Sequence, residues 1–440
     1  MVEPVLQRKG GAIYYINLSQ DQHQLGGSSF AQSQNKIGKT APTIKDDAFF
    51  AKTFDVLQSL IKKDQIIAGH DISAGGMLTA ILEMCFADQY LSAALDLTAI
   101  GETDTLKLLF AENSGIIFQA KNDKIEKTLS ENKIEFFKIG KVQTDVNLTI
   151  KNGADSHQFN IPALRDVWFE TSYLLDRKQS GDTLAKARYD NYKNQPLTYI
   201  LPANFTGKKP VIDPSKPRPK AAIIREKGSN SEREMANAMY LAGFDVKDVH
   251  MTDLIMGRET LEDVQFIGAV GGFSNSDVLG SAKGWAGAFK YNEKAKQALD
   301  NFFKREDVLS IGICNGCQLF MELDLINPAH EQQGLMGYND SNKHESNFTS
   351  VHIQPNKSVM LGNLAGSTLG VWISHGEGKF LLPHAEKTYE IVGKYGYEGY
   401  PANPNGSDYN TAMLCSPDGR HLVTMPHIER STFPLSLIHI

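Results

Sequence analysis

Long apolar runs are missing from this chain. Nothing in its 440 residues approaches the roughly 18 consecutive apolar side chains that a membrane-spanning helix requires. Cysteine is scarce, at four residues, which is too few for a disulfide framework and suits a reducing cytosol. Charge of one sign is also lacking: 45 Lys and Arg against 51 Asp and Glu leave a net charge of -6. That balance gives no electrostatic case for binding nucleic acid or an anionic membrane. The opening residues, MVEPVLQRKG, hold no apolar core of the kind a signal peptide needs, so the expected location is the cytoplasm. What is left is an ordinary globular composition, 41% hydrophobic and 22% charged, with length for two or three domains.

Against that background the stretch Val308 to Phe320, VLSIGICNGCQLF, stands out. Val308 to Ile313 is long enough for one buried strand. From Asn315 the pattern turns helical, with Cys317, Leu319, Phe320 and Met321 free to pack inward. Between them Cys314 is flanked by Gly312 and Gly316, the thiol version of a nucleophile elbow. Small neighbours let the turn push the sulfur clear of the backbone. The helix that follows aims free N–H groups and its positive dipole end at that sulfur, favouring thiolate. The same N–H groups can hold the oxyanion of an acyl-transfer intermediate. Three other readings stay open here. Cys314 and Cys317 form a C-x-x-C that could be a redox pair, half of a zinc site, or two buried core thiols. Zinc would need two further ligands, and Cys85 and Cys415 stand far off in sequence.

A thiol nucleophile needs a base, and the base needs an orienting group. In HLVTMPHIER (His421 to Arg430), His427 and Glu429 supply both, because residues i and i+2 of an extended chain share a side. His375 and Glu377, in VWISHGEGKF (Val371 to Phe380), offer the same spacing and are the rival pair. Either could equally be a surface polar pair.

The elbow belongs to a unit that opens at Lys220. Ala221 to Glu226 reads as a strand, Gly228 to Asn230 as a turn, and Ser231 to Leu241 as a helix with Ser231 and Glu234 at capping-box spacing. Phe244 to His250 and Val264 to Val270 are further strands, the second ending in Gly271, Gly272, Phe273 and Ser274. A helix from Asn292 to Lys304 leads to the Cys314 strand. Such alternation, with glycines at the carboxyl ends of strands, predicts a doubly wound parallel sheet with ligands just beyond those ends. Gly271 and Gly272 then belong at the same edge as Cys314, as part of an oxyanion hole or as a plain β–α turn.

The first half reads as α/β. Strands are expected at 12–17, 65–69, 114–120, 136–142 and 146–150, with helices over 46–63 and near 104–110 and 124–131. HDISAGG (His70 to Gly76) lies between a strand and a helix. A carboxylate, a hydroxyl and glycines there suit a phosphate–magnesium complex, or Asp71 and Ser73 simply cap the helix. A helix is expected over 161–175. From Asp176 to Lys220 the pattern dissolves into polar residues and then prolines, which predicts a linker and a domain boundary.

In order, GGFS, GICNGCQ, SHGEG and MPHIER resemble the class I (triad) glutamine amidotransferases. Through LGGSSFAQ (Leu25 to Gln32), HDISAGG and AENSG (Ala111 to Gly115), the first half resembles the second synthetase half of the large, single-chain phosphoribosylformylglycinamidine synthases. The resemblance implies an AIR-synthetase C-terminal-like α/β domain (1–160), a helix and Pro-rich linker (161–219), and a flavodoxin-like amidotransferase domain (220–434). It implies that formylglycinamide ribonucleotide, glutamine, ATP and water give formylglycinamidine ribonucleotide, glutamate, ADP and phosphate. Cys314 would attack the glutamine carboxamide, His427 would move the proton, and Glu429 would orient His427. Gly271, Gly272, Phe273, Gln318 and His375 would hold glutamine or the oxyanion. Asp71 would be a magnesium contact and Ser73 a nucleotide contact, at a structural ATP/ADP site rather than the one that turns over. A first synthetase half, with the catalytic ATP site, is the implied missing partner.

The sequence departs from the family in three places. Asn275 and Ser276 stand where a tyrosine and a glycine are usual, and Ile428 stands where proline is usual. Leu435 to Ile440, LSLIHI, reads like the translation of a transposon sequencing adapter, so a non-native tail on a gene fragment is expected. Two competing functions are a cysteine hydrolase of the same flavodoxin-like fold, such as a peptidase or deglycase, and a non-catalytic scaffold. Gln318 and the synthetase-like half argue against the hydrolase.

Overall fold

Alternate residues of one strand decide how the first half is layered. Strand β1 (Ile13–Asn17) turns Ile13 and Tyr15 into one apolar core and Tyr14 and Ile16 into another, the period-2 pattern of a strand covered on both faces. Helices Gly76–Phe86 and Thr105–Phe110 supply the first core, with Ile81 and Leu108 among its members. Helices Asp47–Lys62 and Ile125–Glu131 supply the second through Leu57, Leu60 and Leu129. The other strands are β2 (Ile66–Asp71), β3 (Ser92–Asp96), β4 (Gly115–Ala120), β5 (Phe137–Gln143), β6 (Asn147–Asn152) and β7 (Asp155–Asn160). They pair in the order β2-β4-β1-β5-β3-β6-β7, antiparallel except for β3 with β6. Strands β3 and β7 go unpredicted: SAALD has no β-branched residue, and DSHQFN is a polar, exposed edge.

The computed structural model describes residues 2–88, 90–194, 199–206, 211–213 and 215–431. The chain divides into two units, Met1–Thr171 and Ser172–Ile440. Pro210, Pro214 and the segment 435–440 lie outside the described residues.

In the second unit the strands β8 (Lys220–Arg225), β9 (Asp245–His250), β10 (Phe266–Ala269) and β11 (Leu309–Ile313) are parallel neighbours. Strands β12 (Leu335–Gly337), β13 (Glu345–Ile353), β14 (Thr368–His375), β15 (Lys379–Leu381), β16 (Glu390–Tyr395), β17 (Thr411–Cys415) and β18 (His421–Thr424) follow. The large sheet runs β14-β13-β16-β17-β18-β11-β10-β8-β9, and β12 with β15 forms a separate ribbon. From β18 to β9 it is the parallel, flavodoxin-like sheet that the alternation predicts. Beyond β18 it continues through four antiparallel strands. That extension carries His375 at the end of β14.

The helix beginning at Ile161 does not stop near residue 175. It runs on to a kink at Gly181 (φ 77°, ψ 166°), and a second helical stretch follows to Asn191. Tertiary ion pairs order this polar stretch, where a linker was expected. Asp176, buried, accepts from Lys343 Nζ at 2.6 Å and Ser180 Oγ at 2.7 Å. Arg188 reaches Asp176 at 3.2 Å and Glu345 at 2.9 Å, and its guanidinium stacks over the Tyr400 ring.

Candidate active site

At the end of β11 the backbone breaks. Cys314 has φ 52° and ψ −107°, a conformation that a non-glycine residue holds only when its surroundings impose it. Its N–H donates to the Thr424 carbonyl at 2.9 Å, and helix Asn315–Glu322 starts at the next residue. A side-chain carbon on Gly316 would lie 2.0 Å from the Ala269 carbonyl oxygen, and one on Gly312 2.5 Å from the Gly316 carbonyl oxygen. Both glycines are therefore demanded by close backbone approach as well as by the turn. All four cysteines are free thiols, and among the described residues no cluster of three or more His, Cys, Asp or Glu could hold a metal.

The two candidate histidine pairs separate cleanly. His427 Nδ1 lies 2.6 Å from Glu429 Oε1, with both residues buried. The contact does not come from strand alternation, because β18 ends at Thr424 and Ile428–Arg430 form a 3₁₀ turn. His427 is anchored by its own N–H, which donates to the Trp372 carbonyl on β14 at 2.7 Å. His375, by contrast, ignores Glu377. Its Nε2 lies 2.7 Å from Asn405 Oδ1, while the Glu377 carboxylate accepts the Ser281 N–H at 3.2 Å.

Electrostatics sets the state of the thiol. Burial alone would raise the Cys314 pKa, but the imidazoles of His375 and His427 outweigh it and hold the thiol down at about 6. Burial alone would lower His427, but its bonds to Cys314 and Glu429 prevail and lift it to about 10. The other thiols move the opposite way: burial pushes Cys317 well above its ordinary value and Cys85 up to about 12.

Cys314, His427, Gln318, His375, Gly272 and Phe273 all line one cavity of about 290 Å³. A side-chain carbon on Gly271 would come within 2.9 Å of His427 Cε1 and 3.4 Å of Cys314 Cβ, so that glycine lets the loop approach the pair. One wall is a hydrogen-bonded set: Gln318 Nε2 donates to the Glu377 carbonyl (2.7 Å), and Asn315 Nδ2 to Gln318 Oε1 (2.9 Å) and Asp277 Oδ1 (3.3 Å). Burial raises the Asp277 pKa, and the charge of Glu377 adds to it. Asn275, Ser276 and Asp277 all take left-handed backbone, at φ 52°, 57° and 48°. Ser276 thus adopts the conformation a glycine would take there more easily.

The cavity also takes in Asn230, Asp277, Ser281 and Arg430, to none of which the sequence assigned a role. The expected capping box is absent. Ser231 sits at φ 73° without capping the helix; its hydroxyl accepts from Arg430 Nη2 at 2.9 Å and donates to Asn230 Oδ1 at 3.1 Å. Arg430, packed at the end of the chain's last motif, has drawn the cap away.

Asp71 and Ser73 belong to the first unit. Neither caps helix Gly76–Phe86, whose N-cap is Gly75 at φ 87° with no side-chain bond. Asp71 is 79% exposed and lies 3.6 Å from His70 Nδ1. Glu112 Oε1 accepts the N–H groups of Ser29 (2.7 Å) and Gly75 (2.8 Å), so one carboxylate ties AENSG to LGGSSFAQ and HDISAGG.

Residues 218–439, half of the chain, match the CobB/CobQ-like glutamine amidotransferase domain. The chain belongs to that family. Residues 8–151 match the C-terminal domain of AIR synthase related proteins. The phosphoribosylformylglycinamidine synthase of Homo sapiens is 35% identical over 458 residues, covering 96% of this chain and 34% of that protein. That of Drosophila melanogaster is 34% identical, covering 95% of this chain and 34% of that protein. This amidotransferase chain thus spans about a third of the length of those relatives, at 34%. The structure of PurLQS from Thermotoga maritima matches 50% of this chain and 92% of its own at 24% identity and TM-score 0.42.

Proposed function

We propose that this chain is the glutaminase-bearing part of a phosphoribosylformylglycinamidine synthase and releases ammonia from glutamine through a Cys314 thioester. The 2.6 Å contact of His427 with Glu429, in one cavity with a thiol held at about 6, carries the reading. The Cys314 thiolate adds to the carboxamide carbon, and the oxyanion is taken by backbone N–H groups of Gly272 and Asn315. Phe273 is not a donor in this scheme, since its N–H is bonded to the Gly228 carbonyl at 3.0 Å. Protonated His427 gives its proton to the nitrogen, the C–N bond breaks, and ammonia leaves a γ-glutamyl thioester. Water then adds as His427 takes its proton, the C–S bond breaks, and glutamate leaves. Glu429 holds the imidazole in register and offsets its charge.

The resemblance of the first half implies ATP and formylglycinamide ribonucleotide as further substrates, with magnesium. The residues here fit only a fragment of such a site. Asp71, the last residue of β2, and Ser73, in the turn after it, are both exposed, and among the described residues no three metal-ligating side chains converge. No step is assigned to them. The test is paired: glutamate and ADP release from the purified chain, with and without formylglycinamide ribonucleotide. Glutamate without stoichiometric ADP is expected. ADP in step with glutamate, only when that ribonucleotide is added, would show a complete synthase and refute this assignment.

A further inference from the structure

The cavity wall formed by SHGEG is held from behind by an asparagine. Asn339, two residues after β12, is buried and bonds that wall at three points. Its own N–H donates to the Gly376 carbonyl at 3.0 Å. Its Nδ2 donates to the His375 carbonyl at 2.8 Å, and its Oδ1 accepts the Gly378 N–H at 3.0 Å. Nδ2 also donates to the Lys343 carbonyl at 3.0 Å. Two carbonyls at one end and an N–H at the other fix which end of the amide is nitrogen. The wall so held carries the groups that face the sulfur and its helix. The His375 ring lines the cavity, the Ser374 carbonyl lies 3.7 Å from Cys314 Sγ, and the Glu377 carbonyl accepts from Gln318 Nε2 at 2.7 Å.

Asn339 is itself braced by residues that precede the matched domain. Lys343, whose carbonyl it bonds, gives its Nζ to buried Asp176 at 2.6 Å. Glu345 stands opposite His375 in the register of β13 with β14. It accepts from Arg188 Nη2 at 2.9 Å and from the Tyr400 hydroxyl at 2.9 Å. Asp176 and Arg188 both lie on the helical stretch Ile161–Asn191, before residue 218, where the amidotransferase match begins. Buried ion pairs of this kind resist displacement, because moving one partner strands the other charge. We infer that Asn339 is a positioning residue of the glutamine site, and that Asp176 and Arg188 keep it in place through Lys343 and Glu345. Asn339 sets where His375, Gly376 and Glu377 meet the substrate, and how closely the His375 ring approaches the sulfur. The inference rests on the glutaminase reading and adds what fixes that site's wall.

The experiment reads two quantities in the full chain: KM for glutamine in glutamate release, and the pH midpoint of Cys314 alkylation. Neither depends on the folded fraction of a variant. Cys314 faces two imidazoles, that of His375 on β14 and that of His427 with Glu429 behind it. Burial keeps the Cys317 thiol and the Tyr395 hydroxyl neutral, and Asp277, Glu377 and Arg430 are further charged residues lining the cavity. Of these groups, His375 and Glu377 are the ones on the wall that Asn339 holds. Asn339→Ala should raise KM about tenfold, the scale of one lost hydrogen bond. It should also move the midpoint upward from about 6, as the His375 share in holding the thiol down is lost. The loss should fall on KM rather than kcat, since His427 and Glu429 stand on another element. Asn339→Asp keeps an acceptor for the Gly378 N–H but sets oxygen against two carbonyls, so it should restore neither value. Lys343→Met, which loses the Asp176 pair and keeps the backbone carbonyl, should shift both values the same way by less. Unchanged KM and midpoint in Asn339→Ala, or unmodified values in Asn339→Asp, would overturn the assignment. A fall in kcat alone would also overturn it, by placing the effect at the His427 pair. Where Asn339→Ala does not fold, Asn339→Asp is read by the same two values, and unchanged values in Lys343→Met would remove Asp176 from the account. If the unmodified chain releases no glutamate, the glutaminase reading fails, and the alkylation midpoint in these variants still tests what Asn339 holds.

Discussion

At the scale of single residues, the proposed glutaminase chemistry rests on an inverted order of acidities. The Cys314 thiol at about 6 and the His427 imidazole at about 10 make thiolate and imidazolium the resting pair between those limits. Below about 6 the thiolate is protonated, and above about 10 the imidazolium is lost. Alkylation of Cys314 should therefore rise through a midpoint near pH 6 and be strong at neutrality. A midpoint near the ordinary thiol value of 9.0 would mean that the histidines do not control the sulfur. The same pair separates the histidines by role. His427→Ala should cost about 10²–10⁴-fold in kcat, the usual scale for a lost general base. His375→Ala should act mainly on KM for glutamine. A larger loss of kcat at saturating glutamine from His375→Ala would show that the two roles are reversed.

At the scale of elements, the elbow is a three-body contact among β10, β11 and the helix after Cys314. Gly316→Ala would force a carbon into a space only 2.0 Å from the Ala269 carbonyl, which is backbone and cannot rotate away. It should cost about 3 kcal/mol or more, in the range of core overpacking, measured as a fall in urea midpoint. Gly376→Ala, in the same cavity wall but with nothing within 4 Å of the added carbon, should leave that midpoint within about 0.5 kcal/mol. Equal effects from both would mean that the elbow is looser than drawn. This element also shows what a sequence can disclose. Glycine spacing, a strand followed by a helix, and His427 two residues before Glu429 are local patterns, and they pointed to the turn at Cys314 and to the contact between His427 and Glu429. Asn405 reaches His375 across 30 residues, and no local pattern marks it. The capping box failed because Arg430, 199 residues away from Ser231, competes for its hydroxyl. Helix Ile161–Asn191 outran its apolar pattern because its second half is held by Lys343 and Glu345 rather than by apolar packing.

At the scale of the whole molecule, two α/β units share one chain, and four buried thiols are distributed between them. Composition makes these cysteines look alike. Cys85 is packed in a core of the first unit and Cys317 in the core of the second unit, each with its thiol pushed up by burial. Cys415 is raised in the same way. Cys314 alone pairs a depressed thiol with an open cavity and an imidazole backed by a carboxylate. No helix among the described residues is long and apolar enough to cross a membrane. The most direct measurement is to treat the intact chain at neutral pH with a glutamine-analogue electrophile such as azaserine, then map the adduct by mass and follow glutamate release. The account predicts a single adduct on Cys314, loss of glutamate release in proportion to labelling, and protection by glutamine. An adduct chiefly on Cys317, or glutamate release that survives full labelling of Cys314, would contradict it.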